Sequence, residues 1–192
     1  MGHSQANKAE SRQRILSVAS RRFREQGLES LSVADVMREA GMTVGGFYKH
    51  FTSRDELVTE ALATACLEMD DSYLTRQPTL KKTIKAYLSE AHRDDQAEGC
   101  PLAALINDMA RGNDEAKKIY TDRLEKSLDI LISQMPEDTE GDRRTKAMLI
   151  YSAYIGALSL SRVVPDARLS RQILRGVSKE LISLFPEATC KR

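Results

Sequence analysis

The chain has 192 residues and a formal net charge of +1, with 41% hydrophobic and 30% charged residues. That length allows one sizeable core or a small domain joined to a larger one, and the composition is typical of globular proteins. No apolar run approaches the ~20 residues of a membrane span, and the polar start is not a secretory signal. Cys66, Cys100 and Cys190 form neither a disulfide framework nor a CxxC metal motif. We therefore expect a cytoplasmic protein without a membrane segment, metal or cofactor.

Positive charge is concentrated near the N-terminus. Residues 1–54 contain nine Lys and Arg against five Asp and Glu, a surplus of four. A basic head on a mildly acidic body suits contact with phosphate, but chance clustering on a solvated helix face explains the charge equally well. The charge therefore needs support from a motif.

Apolar residues recur at helical spacing along the whole chain, without strand-like alternation, which predicts an all-α fold. Gly, Pro and capping residues separate the predicted helices. We place these helices at about residues 9–26, 32–40, 43–51, 53–74, 79–94, 101–112, 114–134, 142–163 and 166–184. We expect an N-terminal domain of residues 1–52 and a larger helical domain of residues 53–192.

The second and third predicted helices have the layout of a helix-turn-helix. Gly41 can adopt the left-handed conformation of a sharp turn, and Met42 can fill the space between the helices. Phe47 and Phe51 lie four residues apart and are expected to face inward. The outer side is then left with Thr43, Val44, Gly45, Gly46, Tyr48, Lys49 and His50.

Two adjacent glycines in this short helix are unusual, because each costs a helix interior about 1 kcal/mol relative to Ala. Close approach of the backbone to a DNA groove explains Gly45 and Gly46; a frayed helix start or close packing within the protein is the alternative. The nearby hydroxyl, amine and imidazole groups are phosphate donors, and Val44 can contact a thymine methyl group.

The segments Leu31–Val36, Ala40–Phe51 and Ser53–Leu57 resemble the DNA-binding domain of the TetR family of repressors, with a dense match over about residues 10–60. The pattern Phe-Tyr-x-His-Phe followed by a basic residue is quite specific. The resemblance implies that one set of side chains holds phosphates and another approaches bases. The phosphate set is Thr43, Tyr48, His50 and Arg54, the base set is Val44, Gly45 and Gly46, and Lys49 fits either role. Arg54 stands where Lys is commoner in the family, and Ser32 joins the predicted DNA-binding set.

Residues 147–160 are apolar nearly all round, which indicates a helix buried on two sides. The resemblance implies that the helices at 142–163 and 166–184 pair with their symmetry mates in a homodimer. A two-fold dimer reads a palindromic operator. The alternative is that both helices belong only to the core of one chain.

By the same resemblance, the larger domain binds a small-molecule inducer that releases the repressor from DNA. The candidate lining residues are Tyr87, Met109, Tyr120, Met148, Tyr151 and Tyr154. Such a set also fits ordinary core. The absence of Trp argues against a large stacked drug site.

Cys100 begins a predicted helix in the segment Gly99-Cys100-Pro101, and helix N-termini stabilise thiolates. This start resembles a subgroup of the family in which some members sense electrophiles or oxidants. A small, buried apolar role is the alternative, and a metal site of His92, Asp95 and Cys100 is disfavoured.

An enzyme is not expected, because the chain contains no HExxH, GxSxG or phosphate-binding glycine loop. A hydrolase built on Cys100 and His92 lacks an evident orienting group and oxyanion site. A helical adaptor that binds only protein would not need the paired glycines or the positive head.

Overall fold

The computed structural model describes residues 2–72, 75–136, 139 and 141–185. All regular structure in this part of the chain is helical, which confirms the predicted fold class. The helices are α1 (Gly2–Gln26), α2 (Val33–Glu39), a 3₁₀ helix (Val44–Lys49), α3 (Arg54–Asp70), α4 (Leu80–Tyr87), α5 (Glu90–Asp94), α6 (Pro101–Ala110), α7 (Asp114–Gln134), α8 (Arg143–Val163) and α9 (Ala167–Leu184). None of these helices has the length and hydropathy to cross a membrane.

The chain forms two compact units. The first, here the N-terminal unit, comprises Met1–Glu68 and Gln96–Thr121, and the second, the C-terminal unit, comprises Met69–Asp95 and Asp122–Arg192. Most of α3 and all of α6 therefore pack with the first helices of the chain. These units are defined by packing, and the functional boundary at residue 52 stays a prediction.

Side-chain caps define several helix starts that the sequence indicates. The Ser32 hydroxyl accepts a hydrogen bond from the Asp35 backbone N–H at 3.2 Å, while the Asp35 carboxylate accepts one from the Ser32 backbone N–H at 3.3 Å. This capping box satisfies N–H groups that the first turn of α2 leaves without helical partners. Asp142 and Asp166 cap α8 and α9 by accepting from the N–H groups of Arg144 and Arg168.

Four predicted helices differ from the structure. Helix α1 begins at Gly2, seven residues before its predicted start near residue 9. The helix predicted at 79–94 is two helices, because Leu88 leaves helical geometry and the Ser89 hydroxyl caps α5 by accepting from the His92 N–H at 3.1 Å. The helix predicted at 43–51 is the 3₁₀ helix, and the Thr43 side chain does not cap it. Helix α3 ends at Asp70, and its predicted end near residue 74 lies outside the described residues.

The N-terminal unit has one continuous apolar core. Helix α1 contributes Ile15, Ala19 and Phe23, and the side chains around them come from α2, the 3₁₀ helix, α3 and α6. Because α2 and the 3₁₀ helix have only seven and six residues, burial against α1 and α3 is what makes them stable.

Candidate nucleic-acid interface and ligand cavity

The turn between α2 and the 3₁₀ helix has the geometry of a helix-turn-helix. Gly41 has φ +71°, the left-handed conformation predicted for it, and the Met42 N–H donates to the Met37 carbonyl at 2.8 Å. Met42 is partly buried against the core, as its predicted position between the helices requires. The turn therefore presents the 3₁₀ helix at a fixed angle to α2.

Aromatic residues hold the inner side of the 3₁₀ helix. Phe47 and Phe51 are buried, with stacked rings whose centroids are 5.5 Å apart, which confirms that they face inward. The guanidinium of Arg12 lies over the Phe51 ring at 4.2 Å. It also donates a hydrogen bond to the carbonyl oxygen of His50, immediately after the 3₁₀ helix. A cation–π contact and a hydrogen bond therefore join helix α1 to the end of the 3₁₀ helix.

Arg12 also binds two carboxylates of α3. It donates to Glu56 at 3.2 Å and to Glu60. Glu56 accepts from the hydroxyl and N–H of Thr52, at 2.5 and 2.6 Å, and these bonds together with Arg12 lower its pKa to about 2. Burial raises the pKa of Glu60, against the effect of the Arg12 charge. Arg12 therefore joins α1, the 3₁₀ helix and α3, a role that its local sequence does not signal.

The outer side of the 3₁₀ helix is open to solvent. Tyr48 and Val44 are 79% and 53% exposed, unusually high for large apolar or aromatic side chains. Thr43, Gly45 and Lys49 are also exposed, whereas Gly46 and His50 are half-buried. A Cβ added to Gly45 would meet no atom within 4 Å, so close packing within this chain does not account for that glycine.

Burial, and then the charges of Lys8, Arg12 and Lys49, lower the pKa of His50 below its usual value, which favours the neutral imidazole. Lys8 therefore belongs to the same basic surface, although it lies far from the motif in sequence. We call the surface formed by Lys8, Thr43–Gly46 and Tyr48–His50 the basic face. It combines cationic and neutral donors around an open glycine backbone.

Ser32 and Arg54, the other members of the predicted DNA-binding set, are bonded within the chain. The Ser32 hydroxyl donates to the Asp35 carboxylate at 2.6 Å. Arg54 donates from Nη2 to the Leu28 carbonyl oxygen, which joins the start of α3 to the loop after α1. In this structure, therefore, Ser32 caps α2 and Arg54 positions α3.

The six predicted ligand-lining residues do not form one group. Tyr87, Tyr151 and Tyr154 lie together in the C-terminal unit, with the Tyr87 and Tyr154 rings stacked at 4.2 Å. Met109 belongs to the core of the N-terminal unit, where Tyr120 donates to the Leu102 carbonyl at 2.9 Å. Met148 is 45% exposed on α8. Tyr87, Tyr151 and Tyr154, the tyrosine trio, line a cavity of about 20 Å³, whereas Met109 lines a separate, more open pocket of about 360 Å³ in the N-terminal unit.

Cys100 precedes Pro101 at the start of α6, as predicted, but its side chain is fully buried. Reactive cysteines are usually partly exposed, whereas buried ones are mostly inert. Cys66 is buried as well, and Cys190 lies outside the described residues. Among the residues that the structure describes, no cluster of His, Cys, Asp and Glu could hold a metal ion.

Helices α8 and α9 leave apolar side chains on the surface of this chain. Leu149, Leu160 and Val163 of α8 are 55%, 58% and 78% exposed, and Leu169 and Leu184 of α9 are 44% and 58% exposed. Gly156 lies on the exposed side of α8, with no atom within 4 Å of the position that a Cβ would take. These residues form a surface suited to another apolar surface.

The family model described as "Bacterial regulatory proteins, tetR family" matches residues 15–61. The HTH-type transcriptional regulator AcrR of Shigella flexneri is 43% identical over 51 residues, 27% of this chain and 24% of that protein. The HTH-type transcriptional repressor KstR2 of Mycolicibacterium smegmatis is 35% identical over 54 residues, 28% of this chain and 26% of that protein. The match spans about a quarter of the length of these relatives.

Solved structures share the fold over nearly the whole chain. A TetR-family regulator from Cytophaga hutchinsonii has a TM-score of 0.76 at 16% identity, covering 94% of this chain and 98% of its own. The reduced form of E. coli NemR has a TM-score of 0.74 at 15% identity, covering 93% and 100%. AibR in complex with isovaleryl coenzyme A and operator DNA has a TM-score of 0.66 at 18% identity, covering 89% and 97%.

Proposed function

Because the chain belongs to the tetR family of bacterial regulatory proteins, we propose that it is a cytoplasmic transcriptional repressor, binding a palindromic operator as a homodimer until a small molecule releases it. The family is one of regulators rather than enzymes. The observation that carries the proposal is the basic face, where an aromatic side chain and the open glycine Gly45 lie outside a well-packed core. A face that only had to be soluble would not expose Tyr48 or include Gly45.

The chemistry of the basic face suits a DNA groove. Thr43, Tyr48 and Lys49 supply hydroxyl and ammonium donors to phosphates, and neutral His50 supplies an imidazole N–H. Gly45 lets the backbone approach base edges, and the exposed Val44 can contact a thymine methyl group. Arg54 would reach phosphate through donors other than the one bonded to Leu28.

The exposed apolar surface of α8 and α9 supports pairing with a second copy of this chain. Burial of those leucines and of Val163 removes apolar area from water, and Gly156 permits close helix approach. The AibR structure contains both operator DNA and an acyl coenzyme A, so a protein of this fold accommodates both classes of ligand. For this chain we place the small-molecule site at Tyr87, Tyr151 and Tyr154.

The sharpest test of DNA binding is Gly45→Ala. The added methyl group meets nothing in the chain, and the backbone is not left-handed, so the free energy of unfolding should stay equal or rise by up to about 1 kcal/mol. Binding to a fragment of the promoter upstream of its own gene, measured by gel retardation, should weaken by about tenfold or more because the methyl group occupies the approach of the DNA.

Lys49→Ala complements this test through the salt dependence of binding. If Lys49 contacts a phosphate, the slope of log affinity against log salt should fall by about one; if it contacts a base, sequence preference should relax instead. The matched control is Lys82→Ala, at an exposed side chain of α4, which should change neither quantity. Unchanged DNA affinity in both Gly45→Ala and Lys49→Ala would refute the proposed interface.

A further inference from the structure

The cavity beside the tyrosine trio contains a buried arginine that the sequence did not single out. Arg123, on α7, is 3% exposed and forms an ion pair with Asp70 through Nη1. Its Nε and Nη2 atoms are buried and have no hydrogen-bond acceptor in the described part of the chain. A charged group with unmet buried donors is destabilising, so an acceptor at this place would be bound favourably.

The position of the unmet donors distinguishes Arg123 from other buried arginines. Arg24 and Arg143 each leave only Nε without an acceptor, and neither lines the cavity, whereas Arg123 leaves two donors and does. Nε–H and Nη2–H lie on the same edge of the planar guanidinium and point in nearly parallel directions. That edge matches the two oxygens of a carboxylate, which is the geometry of a bidentate pair.

The rest of the cavity is consistent with a carboxylate on an apolar body. The Tyr154 hydroxyl is buried without a partner in the described residues and lines the same cavity. The three Ser and Thr hydroxyls there are bonded already. Thr75 donates to the Met69 carbonyl at 2.9 Å, Thr83 to Gln134 at 2.7 Å and Ser127 to the Arg123 carbonyl at 3.0 Å. The remaining walls are aromatic or aliphatic, from Tyr87, Tyr151, Met69, Ile130 and Leu131.

The local charge favours one negative charge on the ligand. Arg123 and Lys126 both bind Asp70, with Lys126 Nζ 2.6 Å from its Oδ2 atom, so the three side chains sum to one positive charge. A monocarboxylate neutralises this charge, whereas a doubly charged phosphate exceeds it. The cavity of about 20 Å³ holds about one water molecule, so at least one side chain that lines it must move when the ligand binds. Met69, with its flexible thioether, can move most easily.

We propose that the effector is a small organic monocarboxylic acid, bound by the Nε–Nη2 edge of Arg123 with the Tyr154 hydroxyl as a third donor. The inference rests on the proposed function only in calling the acid an effector; binding itself is independent of DNA. Met69 and Asp70 end α3, and Arg54 begins it, so the acid binds against the helix that follows the basic face.

The test is calorimetric titration of the full-length protein with acetate, butyrate, benzoate and phenylacetate. Acetamide, butyramide, benzamide and phenylacetamide are the matched neutral analogues. At least one acid should bind with a dissociation constant below about 1 mM, and its amide should bind at least about tenfold more weakly, because a neutral amide forms weaker hydrogen bonds to a guanidinium. The absence of binding by all four acids, or equal binding of acid and amide, would overturn the inference.

Three variants separate the guanidinium edge from general positive charge. Arg123→Lys keeps the charge near Asp70 but loses the planar edge, and should weaken acid binding by about tenfold or more. Tyr154→Phe removes only an unpartnered hydroxyl; it should fold as stably as the wild type and bind the acid about threefold to tenfold more weakly. Lys85→Gln, at an exposed side chain of α4 that does not line the cavity, is the control and should change affinity less than threefold.

The outcomes distinguish this inference from the proposed function. A loss of acid affinity in Lys85→Gln as large as that in Arg123→Lys means attraction by diffuse charge and overturns the carboxylate site. Wild-type affinity in both Tyr154→Phe and Arg123→Lys overturns it as well. If the protein binds promoter DNA but no acid, the inference fails and the proposed function stands. If the acid binds as described but no DNA is bound, the proposed function fails and the acid site stands.

Discussion

A change of His92 to Asn should remove much of the acid sensitivity of folding. The His92 side chain is fully buried, its Nδ1 atom is 2.8 Å from the Tyr87 carbonyl oxygen, and its ring packs edge-on against the Tyr87 ring at 4.7 Å. Burial lowers its pKa from 6.5 to about 4; the Tyr87 carbonyl and Asp95 oppose this shift, while the charge of Arg162 adds to it. His92 is therefore neutral in the folded protein down to about pH 4.

The sign follows from comparison with the unfolded chain. Between about pH 6.5 and pH 4 the unfolded state binds a proton on His92 that the folded state does not, so stability is lost as the pH falls. The difference between a pKa of 6.5 in the unfolded chain and about 4 in the folded protein corresponds to about 3 kcal/mol over the full range. Between about pH 7.5 and pH 5 the expected loss from this residue is about 2 kcal/mol.

Urea unfolding at fixed protein concentration, followed by circular dichroism, measures this loss. His92→Asn retains an amide donor for the Tyr87 carbonyl and does not titrate. The variant should be less stable near neutral pH, because the ring contact with Tyr87 is gone, but its loss on acidification should be smaller by about 2 kcal/mol. Groups elsewhere titrate equally in both proteins and cancel in the difference. Parallel pH profiles for the two proteins would refute the argument.

Three further predictions concern the position of the 3₁₀ helix, the proposed dimer interface and the Cys100 thiol. Arg12→Met should lower the free energy of unfolding by about 1–3 kcal/mol and also weaken DNA binding, whereas the exposed control Arg14→Met should stay within about 0.5 kcal/mol in urea unfolding. Gly156→Gln should shift a dimer towards monomers in light scattering, although the side chain meets nothing within one chain; an unchanged mass places the interface elsewhere. A mild electrophile should leave both the wild-type protein and Cys100→Ser bound to promoter DNA, by gel retardation with intact-mass analysis, because the Cys100 side chain is fully buried; release of the wild type alone would identify Cys100 as a sensor.

The parts of the fold that the sequence predicts are those specified by neighbouring residues. Asp142 and Asp166 each begin a helix by accepting a hydrogen bond from an N–H two residues later, and Gly41 turns the chain because it lacks a Cβ. Such signals act over four or five residues and can therefore be recognised in a short segment of sequence. The motif around Phe47 and Phe51 is equally local, so the inner and outer sides of the helix-turn-helix were predictable.

The unpredicted features depend on residues far apart in the chain. Arg12 is 38 residues from the His50 carbonyl and 48 from Glu60, and no spacing rule connects them. The surroundings of Arg123 are equally non-local, because residues of α3, α4, α7 and α8 together form the walls of its cavity. The sequence does not predict the break between α4 and α5 for another reason. Serine is compatible with a helix interior, and only the hydrogen bond that the Ser89 hydroxyl accepts from the His92 N–H identifies Ser89 as a cap.

The basic face is held in position by the core of the N-terminal unit rather than by the stability of its own 3₁₀ helix. A six-residue 3₁₀ helix with two glycines and no side-chain cap is unstable by itself. Its position depends on Phe47 and Phe51 in the core and on Arg12. The Arg12 guanidinium binds the His50 carbonyl, just after the helix, and the carboxylates of α3. Substitutions on the exposed side should therefore change DNA affinity without changing stability, whereas loss of Arg12 changes both. A purely structural helix would behave differently, because the exposed Gly45 could then be replaced by alanine without loss of DNA binding.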